Sequence, residues 1–295
     1  MALAGEVTLG FRPARAPAAG SVAGERGFHI ASLDGIRAVA ALMVFAAHTH
    51  LARFIPGGFG VTIFFFLSGY LITTLLRQEF QQTGTISLKH FYLRRIYRIF
   101  PPLYLVLAIL VVLTLAGVLH EEMAPLAVLA QLFHLTNYYL VAYGSNTAPV
   151  VPFTVPYWSL AVEEHFYLLF PLTLLFLAGR FSLSRTALFL ALACALVLLW
   201  RCILVFGFEV GGYYVYNATD TRIDSLLFGC ILGVWCNPVL DASPRRLTER
   251  TWYLLAMLGV VLLLVSFVWR ADAFRDTLRY TLQGLGLFPL FYCAV

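Results

Sequence analysis

The stretch LDGIRAVAALMVFAAH, residues 33–48, decides how the rest of the chain is interpreted. It is apolar enough to belong to a membrane span, yet Asp34 and Arg37 stand near its start and His48 at its end. Ionisable side chains inside hydrocarbon cost several kcal/mol, so they are rare there and mark functional sites. This segment is therefore predicted to be a membrane span that contributes residues to a functional site.

The composition predicts an all-α, polytopic membrane protein. Of 295 residues, 61% are hydrophobic and 12% are charged, whereas soluble domains average about 45–50% and about 25%. The formal net charge of +5 comes from basic residues that lie in short clusters between apolar runs. Such clusters are typical of cytoplasmic loops, so the expected partner is the lipid bilayer and not nucleic acid.

Spans need about 20 predominantly apolar residues. Eight stretches are predicted to cross the membrane: 33–52, 58–76, 101–119, 158–178, 186–206, 222–236, 251–269 and 280–295. The stretch 123–142 is ambiguous, because it contains a proline, His134 and Asn137. Leaving it out as a span, with the N-terminus inside, keeps most later basic residues on the cytoplasmic side, including Arg180, Arg185, Arg245, Arg246 and Arg250.

We therefore expect eight spans and one re-entrant or interfacial segment, about eight to nine in all. This topology places Glu163 on the side of His48, whereas a spanning 123–142 would place it near the arginines. Residues 1–27, rich in Ala, Gly and Pro, are predicted to be a disordered cytoplasmic tail, and 28–295 a single transmembrane domain.

Arg37 and His48 are the first candidate site residues. Eleven residues make almost three helical turns, so the two lie on nearly one face, roughly 16 Å apart along the axis. Asp34 is one turn before Arg37 and can pair with it. A neutral imidazole in a low-dielectric cavity can act as a general base. The alternative is that Arg37 and His48 are simply solvated near opposite interfaces.

Three arginines form the second candidate group, in FYLRRIYRIFPP, residues 91–102. Arg95 and Arg98 stand at i, i+3 and project from one side of a helix, next to Arg94. Guanidinium groups bind phosphates in bidentate fashion. The alternative is that the three arginines only anchor the topology.

Two adjacent carboxylates form the third group, in VPYWSLAVEEHFYLLFP, residues 155–171. Glu163 and Glu164 point about 100° apart on a helix, so at most one of them easily faces a shared site. Ser159 is a candidate N-cap. A buried carboxylate beside a histidine would orient the imidazole and stabilise its protonated form.

The segment TDTRIDSLLFG, residues 219–229, adds Asp220, Arg222 and Asp224, which we interpret as an internal ion-pair cluster. The glycines of GGFGVTIFFFLSGYLIT, residues 57–73, are interpreted as sites of close helix packing. No metal-ligand spacing is present in the sequence, so no metal is expected.

Five stretches, spread in order over residues 33–229, together resemble the acyltransferase 3 family of integral membrane acyltransferases. They are LDGIRAVAALMVFAAH, FFFLSGYLI, FYLRRIYRIFPPLY, WSLAVEEHFYLLFP and RIDSLLFG. The resemblance implies transfer of an acyl group, commonly acetyl, to a hydroxyl of a carbohydrate-type acceptor. It implies acetyl-CoA or another acyl-CoA as co-substrate, no bound cofactor, and a cell-membrane location.

The resemblance also assigns roles by position. Arg37 and His48 match the family's Arg–ten residues–His signature, and Arg95 and Arg98 match its acyl-donor motif. Glu163 matches the carboxylate after Trp-Ser-Leu. Family members usually continue into a late Ser-Tyr-x-x-Tyr-Leu-x-His segment, which implies that a C-terminal part is missing here. The alternative functions are a transporter or flippase of a polar or lipid-linked glycan, and an inactive fragment.

Overall fold

Helices make up the regular structure of the computed structural model, which describes residues 30–49, 55–144, 149–241 and 248–295. Within these ranges there is no strand, so the all-α prediction is confirmed. The predicted tail 1–27, together with Arg245 and Arg246, lies outside the described residues.

Five helices are long and apolar enough to cross a membrane. They are α2 (Gly57–Thr83), α3 (Leu88–Leu115), α6 (Tyr157–Ala178), α7 (Leu183–Gly207) and α10 (Glu249–Val268). The other three predicted spans correspond to the shorter helices α1 (Ala31–Ala47), α9 (Thr219–Trp235) and α12 (Arg279–Ala294), of 17, 17 and 16 residues. Every predicted span thus corresponds to a helix, in a polytopic arrangement.

The ambiguous stretch 123–142 is broken into two short helices. These are α4 (Pro125–Leu132) and α5 (Thr136–Tyr143), with 8 residues each. Between them His134 has a left-handed backbone, with φ of 55°. An eight-residue helix is about 12 Å long, far less than the roughly 30 Å of hydrocarbon. Neither helix can therefore cross the membrane. Two further short helices are α8 (Gly212–Asn217) and α11 (Asp272–Asp276).

The chain divides into two compact units. Unit 1 comprises the described residues of 1–86, 173–198 and 224–295, and unit 2 comprises those of 87–172 and 199–223. The boundaries fall within α6, α7 and α9, so each of these helices contributes residues to both units.

Glycines allow the helices of unit 1 to approach closely. A Cβ atom on Gly69 of α2 would lie 2.0 Å from the carbonyl oxygen of Leu226, and one on Gly229 of α9 would lie 2.0 Å from that of Phe66. Such distances are far inside van der Waals contact, so only glycine fits at either position. The packing interpretation of Gly69 is confirmed, and Gly229 is its counterpart on α9.

A buried ion pair ties α2 to the segment after α9 in the same unit. Arg77 is 2% exposed and forms a salt bridge with Asp241. Its Nη1 also donates to the carbonyl of Val234 at 3.1 Å. Because the guanidinium has both a carboxylate and a carbonyl as partners, these contacts offset the free-energy cost of removing its charge from water.

Candidate active site

The charged residues of α1 are satisfied within the helix itself. Arg37 Nη1 lies 2.6 Å from Asp34 Oδ1, which confirms the pairing that the i, i+3 spacing predicts. Both side chains stay partly exposed, at 39% and 45%. The pair therefore keeps a fixed guanidinium that further groups can reach.

His48 follows the last residue of α1 as its C-cap and is exposed. Its Nδ1 lies 2.8 Å from the carbonyl oxygen of Val44. Because a carbonyl can only accept, Nδ1 carries the proton in this hydrogen bond. In the neutral imidazole Nε2 then holds the lone pair, so His48 has the tautomer that a general base needs.

The three arginines of α3 differ in their surroundings. Arg94 and Arg98 are exposed, whereas Arg95 is half-buried. The guanidinium of Arg95 lies over two aromatic rings, 4.8 Å from the centroid of Tyr167 and 5.7 Å from that of Phe91. Cation–π contact fixes Arg95 in place, while its two neighbours remain accessible.

The two carboxylates of α6 also differ. The hydroxyl of Tyr167, one turn further along the helix, donates to Glu163 Oε2. Glu164 is half-buried, and the charges of Arg95 and Glu163 act on it. A position of Glu163 near the arginines is expected from the sequence only if 123–142 spans the membrane. The structure instead links Glu163 to Arg95 through Tyr167 with that segment broken.

His165 connects α6 to the corner between α4 and α5. Its Nδ1 lies 2.7 Å from the hydroxyl of Thr219, and its ring centroid lies 6.0 Å from that of Tyr138 in α5. Thr219 in turn accepts from Asn137 Nδ2 at 2.9 Å. Thr219 thus joins the side chains of His165 in α6 and Asn137 in α5, next to the corner.

His134 lies at this corner, against α3. Its ring is 5.1 Å from that of Phe100, and its Nε2 is 3.4 Å from the Tyr104 hydroxyl. Burial lowers the pKa of His134, and the neighbouring His165 adds to the effect. A left-handed backbone at a non-glycine residue is uncommon and concentrates at functional sites.

The family model for the acyltransferase domain, acyltransferase 3, matches residues 30–295. The chain belongs to the acyltransferase 3 family. It is 32% identical over 256 residues to a putative O-acetyltransferase of Staphylococcus aureus strain COL, covering 81% of this chain and 41% of that protein.

The O-acetyltransferase OatA of Staphylococcus aureus strain NCTC 8325 is 35% identical over 215 residues, covering 70% of this chain and 35% of OatA. The chain thus spans about two fifths or less of the length of these relatives. No solved structure matches.

The acyltransferase 3 motifs fall into both units. Asp34, Arg37 and His48 lie in unit 1, and Arg94, Arg95, Arg98 and Glu163 lie in unit 2. Within unit 2 the structure brings Arg95 and Glu163 together around Tyr167. The expected pairing of Glu163 with His48 stays a prediction.

Asp220 is held by neutral donors. Its carboxylate accepts from the Trp200 indole at 2.7 Å and from the hydroxyls of Tyr138 and Tyr214, each at 3.1 Å. Arg222 is buried, with its guanidinium 5.5 Å from the Tyr216 ring centroid.

Asp224 is fully buried and accepts from the Thr281 hydroxyl at 3.4 Å. The proposed ion-pair role of Asp220, Arg222 and Asp224 stays a prediction. Within the described ranges, no group of three His, Cys, Asp or Glu side chains could hold a metal ion.

Sequence reasoning missed the residues that support the candidate site. Tyr167 stands four positions after Glu163, a spacing that places both on one helix face, so its role could have been found. His165 and Thr219 are separated by 54 positions, and no local pattern connects them. The buried Arg201 donates to the carbonyl of Thr221 at 2.8 Å. Its position as a charge within an apolar run did not indicate this partner.

Proposed function

We propose that this chain is the membrane part of an O-acetyltransferase that moves an acetyl group from acetyl-CoA to a hydroxyl of a carbohydrate-type acceptor. The observation that carries the proposal is the imidazole of His48, whose Nδ1 is committed to Val44 and whose Nε2 can accept a proton. It stands in the family's Arg–ten residues–His signature, and the relatives are named O-acetyltransferases.

The donor is assigned to the arginines. Arg94 and Arg98 are exposed and suit the phosphates of CoA, since guanidinium and phosphate form paired, charge-assisted hydrogen bonds. Arg95 contributes a third contact to the donor. Asp34 holds Arg37 on the same helix that ends at His48.

In the proposed chemical step, His48 Nε2 takes the proton of the acceptor hydroxyl. The acceptor oxygen forms a bond with the thioester carbonyl carbon, and the C–S bond breaks. The thiolate takes the proton from the imidazolium, so the products are an O-acetyl ester and free CoA. A transient acyl group on His48 would divide the same transfer into two steps.

The proposal includes a multi-pass location in the cell membrane with a cytoplasmic N-terminus. Cysteines placed at Glu121 and Arg185 in a cysteine-free background test it, because both positions are exposed. An impermeant maleimide is expected to label position 121 from outside and position 185 from inside. Reversed labelling would contradict the orientation and leave the family assignment untouched.

Proteoliposomes with radiolabelled acetyl-CoA test the activity. We expect label to appear in a panel of mono- and oligosaccharide acceptors, and the reaction to stop with His48→Ala. The alternative function, a transporter or flippase, predicts movement of a glycan across the vesicle membrane without any acetyl-CoA. Such movement without label transfer would overturn the acetyltransferase proposal.

A further inference from the structure

Two charged side chains of unit 2, one in α3 and one in α6, make no hydrogen bond with the described residues. Arg95 and Glu164 are both half-buried, and among the described residues neither has a hydrogen-bond or ion-pair partner. Their neighbours are engaged, since Glu163 accepts from Tyr167 and His165 contacts Thr219. A ligand that offers an acceptor to Arg95 and a donor to Glu164 would therefore complete the hydrogen bonds that the protein leaves open.

The two groups belong to one neighbourhood. Arg95 lies 4.8 Å above the ring of Tyr167, and Tyr167 follows Glu164 at i+3 on the same side of α6. The charge of Arg95 acts on Glu164 directly. A guanidinium that donates and a carboxyl group with acceptor oxygens are therefore available in one neighbourhood, beside aromatic surfaces.

Charge decides which ligand group fits between them. Glu163 and Glu164 place two carboxyl groups beside the single guanidinium of Arg95. A phosphate placed there would bring its negative oxygens against these carboxyl groups, and such repulsion is strong in a poorly solvated site. An uncharged group that offers a carbonyl oxygen to Arg95 and an N–H to Glu164 meets no such penalty. A secondary amide is that group.

We propose that Arg95 and Glu164 together bind an amide of the pantetheine arm of the acyl donor, while the donor's phosphates contact Arg94 and Arg98. This inference rests on the proposed function, because it assigns parts of acetyl-CoA to separate arginines. The pantetheine arm of CoA contains two secondary amides between the phosphates and the thiol, so the donor offers the required chemistry. Glu164 thereby becomes a binding residue, distinct from Glu163, which Tyr167 engages.

The test compares acetyl-CoA with S-acetylpantetheine, which keeps both amides and lacks the phosphates and adenosine. Glu164→Leu is expected to raise KM roughly tenfold or more for both thioesters, because it removes a hydrogen bond to a charged group. Arg98→Ala is expected to raise KM for acetyl-CoA far more than for S-acetylpantetheine. Glu164→Gln, which keeps the bulk and a weaker acceptor, should give a smaller rise for both.

The outcomes separate this inference from the proposed function. If the wild-type protein transfers no acetyl group from either thioester, the proposed function fails before any variant is compared. If transfer occurs but the Glu164 variants leave both KM values unchanged, the amide site is overturned. It is also overturned if Glu164→Gln and Glu164→Leu alter acetyl-CoA alone, or alter only the KM of the acceptor. Size-exclusion profiles confirm that each variant is folded.

Discussion

Helices α1 and α6 both carry ionisable side chains in apolar surroundings, and they compensate them in different ways. In α1 the partners are local: Arg37 pairs with Asp34, and His48 with the carbonyl of Val44. In α6 Tyr167 engages Glu163 within the helix, but the hydrogen-bond partner of His165, Thr219, comes from another part of unit 2. Local compensation leaves the functional atoms of α1 accessible, whereas compensation across helices fixes the architecture around α6.

Polar side chains are thus held in two ways, by their own helix in α1 and by distant residues in the α6 network. A histidine whose hydrogen bond comes from its own helix keeps the same tautomer when its surroundings change. A histidine that is held by distant residues instead depends on the whole network. Replacing it also leaves those residues without their hydrogen-bond partner. We therefore expect substitutions in α1 to affect turnover mainly, and those in the α6 network to affect stability mainly.

The largest expected effect is that of His48→Ala, which should lower turnover by roughly 10²–10⁴-fold, the usual contribution of a general base. His48→Gln, similar in bulk but not basic, should be equally inactive. His120, exposed after α3, offers the matched control, and His120→Ala should retain wild-type turnover. Steady-state acetyl transfer at equal membrane abundance is the measurement. Normal turnover in the His48 variants would remove this residue from the mechanism.

The second prediction concerns the packing of α1 against α2. A Cβ atom on Gly60 would lie 2.9 Å from the carbonyl oxygen of Ala40 and 3.0 Å from Val44 Cγ2. Gly60→Val should therefore shift α1 at the residue that holds His48. We expect a loss of about 1–3 kcal/mol in stability, as in other overpacked cores, together with reduced turnover.

Gly35 supplies the control for this substitution, because a Cβ atom there would meet nothing within 4 Å. Gly35→Ala should leave turnover unchanged and stability equal or slightly higher, since alanine favours the helix. Thermal unfolding in detergent, combined with the transfer assay, distinguishes the two. Equal melting temperatures for both variants would contradict the close-packing argument.

Much of the fold and part of the candidate site could be predicted from the sequence, because they depend on residues that are close together in the chain. Spans follow from runs of apolar residues, and the Asp34–Arg37 pair follows from helix geometry. The broken α4–α5 segment was anticipated by its polar residues, but the left-handed backbone of His134 was not. The network of Thr219 joins residues 54 and 82 positions apart, and a single sequence carries no signal for such pairs.

The third prediction tests that network. Thr219→Val keeps the shape and removes the hydroxyl that contacts His165 and Asn137, leaving both without this partner. We expect a loss of about 1–3 kcal/mol in stability and a melting temperature several degrees lower. In Thr114→Val the lost hydroxyl contacts only the Leu110 carbonyl of its own helix, 2.8 Å away, so a much smaller shift is expected. A similar shift in both variants would show that the network adds no stability.

The smallest expected effect is a pH dependence from His134. Burial lowers the pKa of His134 in the folded protein below its usual value, so the unfolded chain binds the proton more readily. Its contribution to stability is therefore complete above the ordinary histidine pKa and is lost as the pH falls below it.

His134→Asn removes this titration, and asparagine tolerates the left-handed backbone better than most residues. The melting temperature should consequently fall less between pH 7.5 and pH 5.5 in the variant than in the wild type. His134→Val removes the same proton site but places a β-branched residue at a φ of 55°, so it should lower stability at both pH values. An unchanged pH dependence in His134→Asn would show that protonation at the α4–α5 corner is not linked to folding.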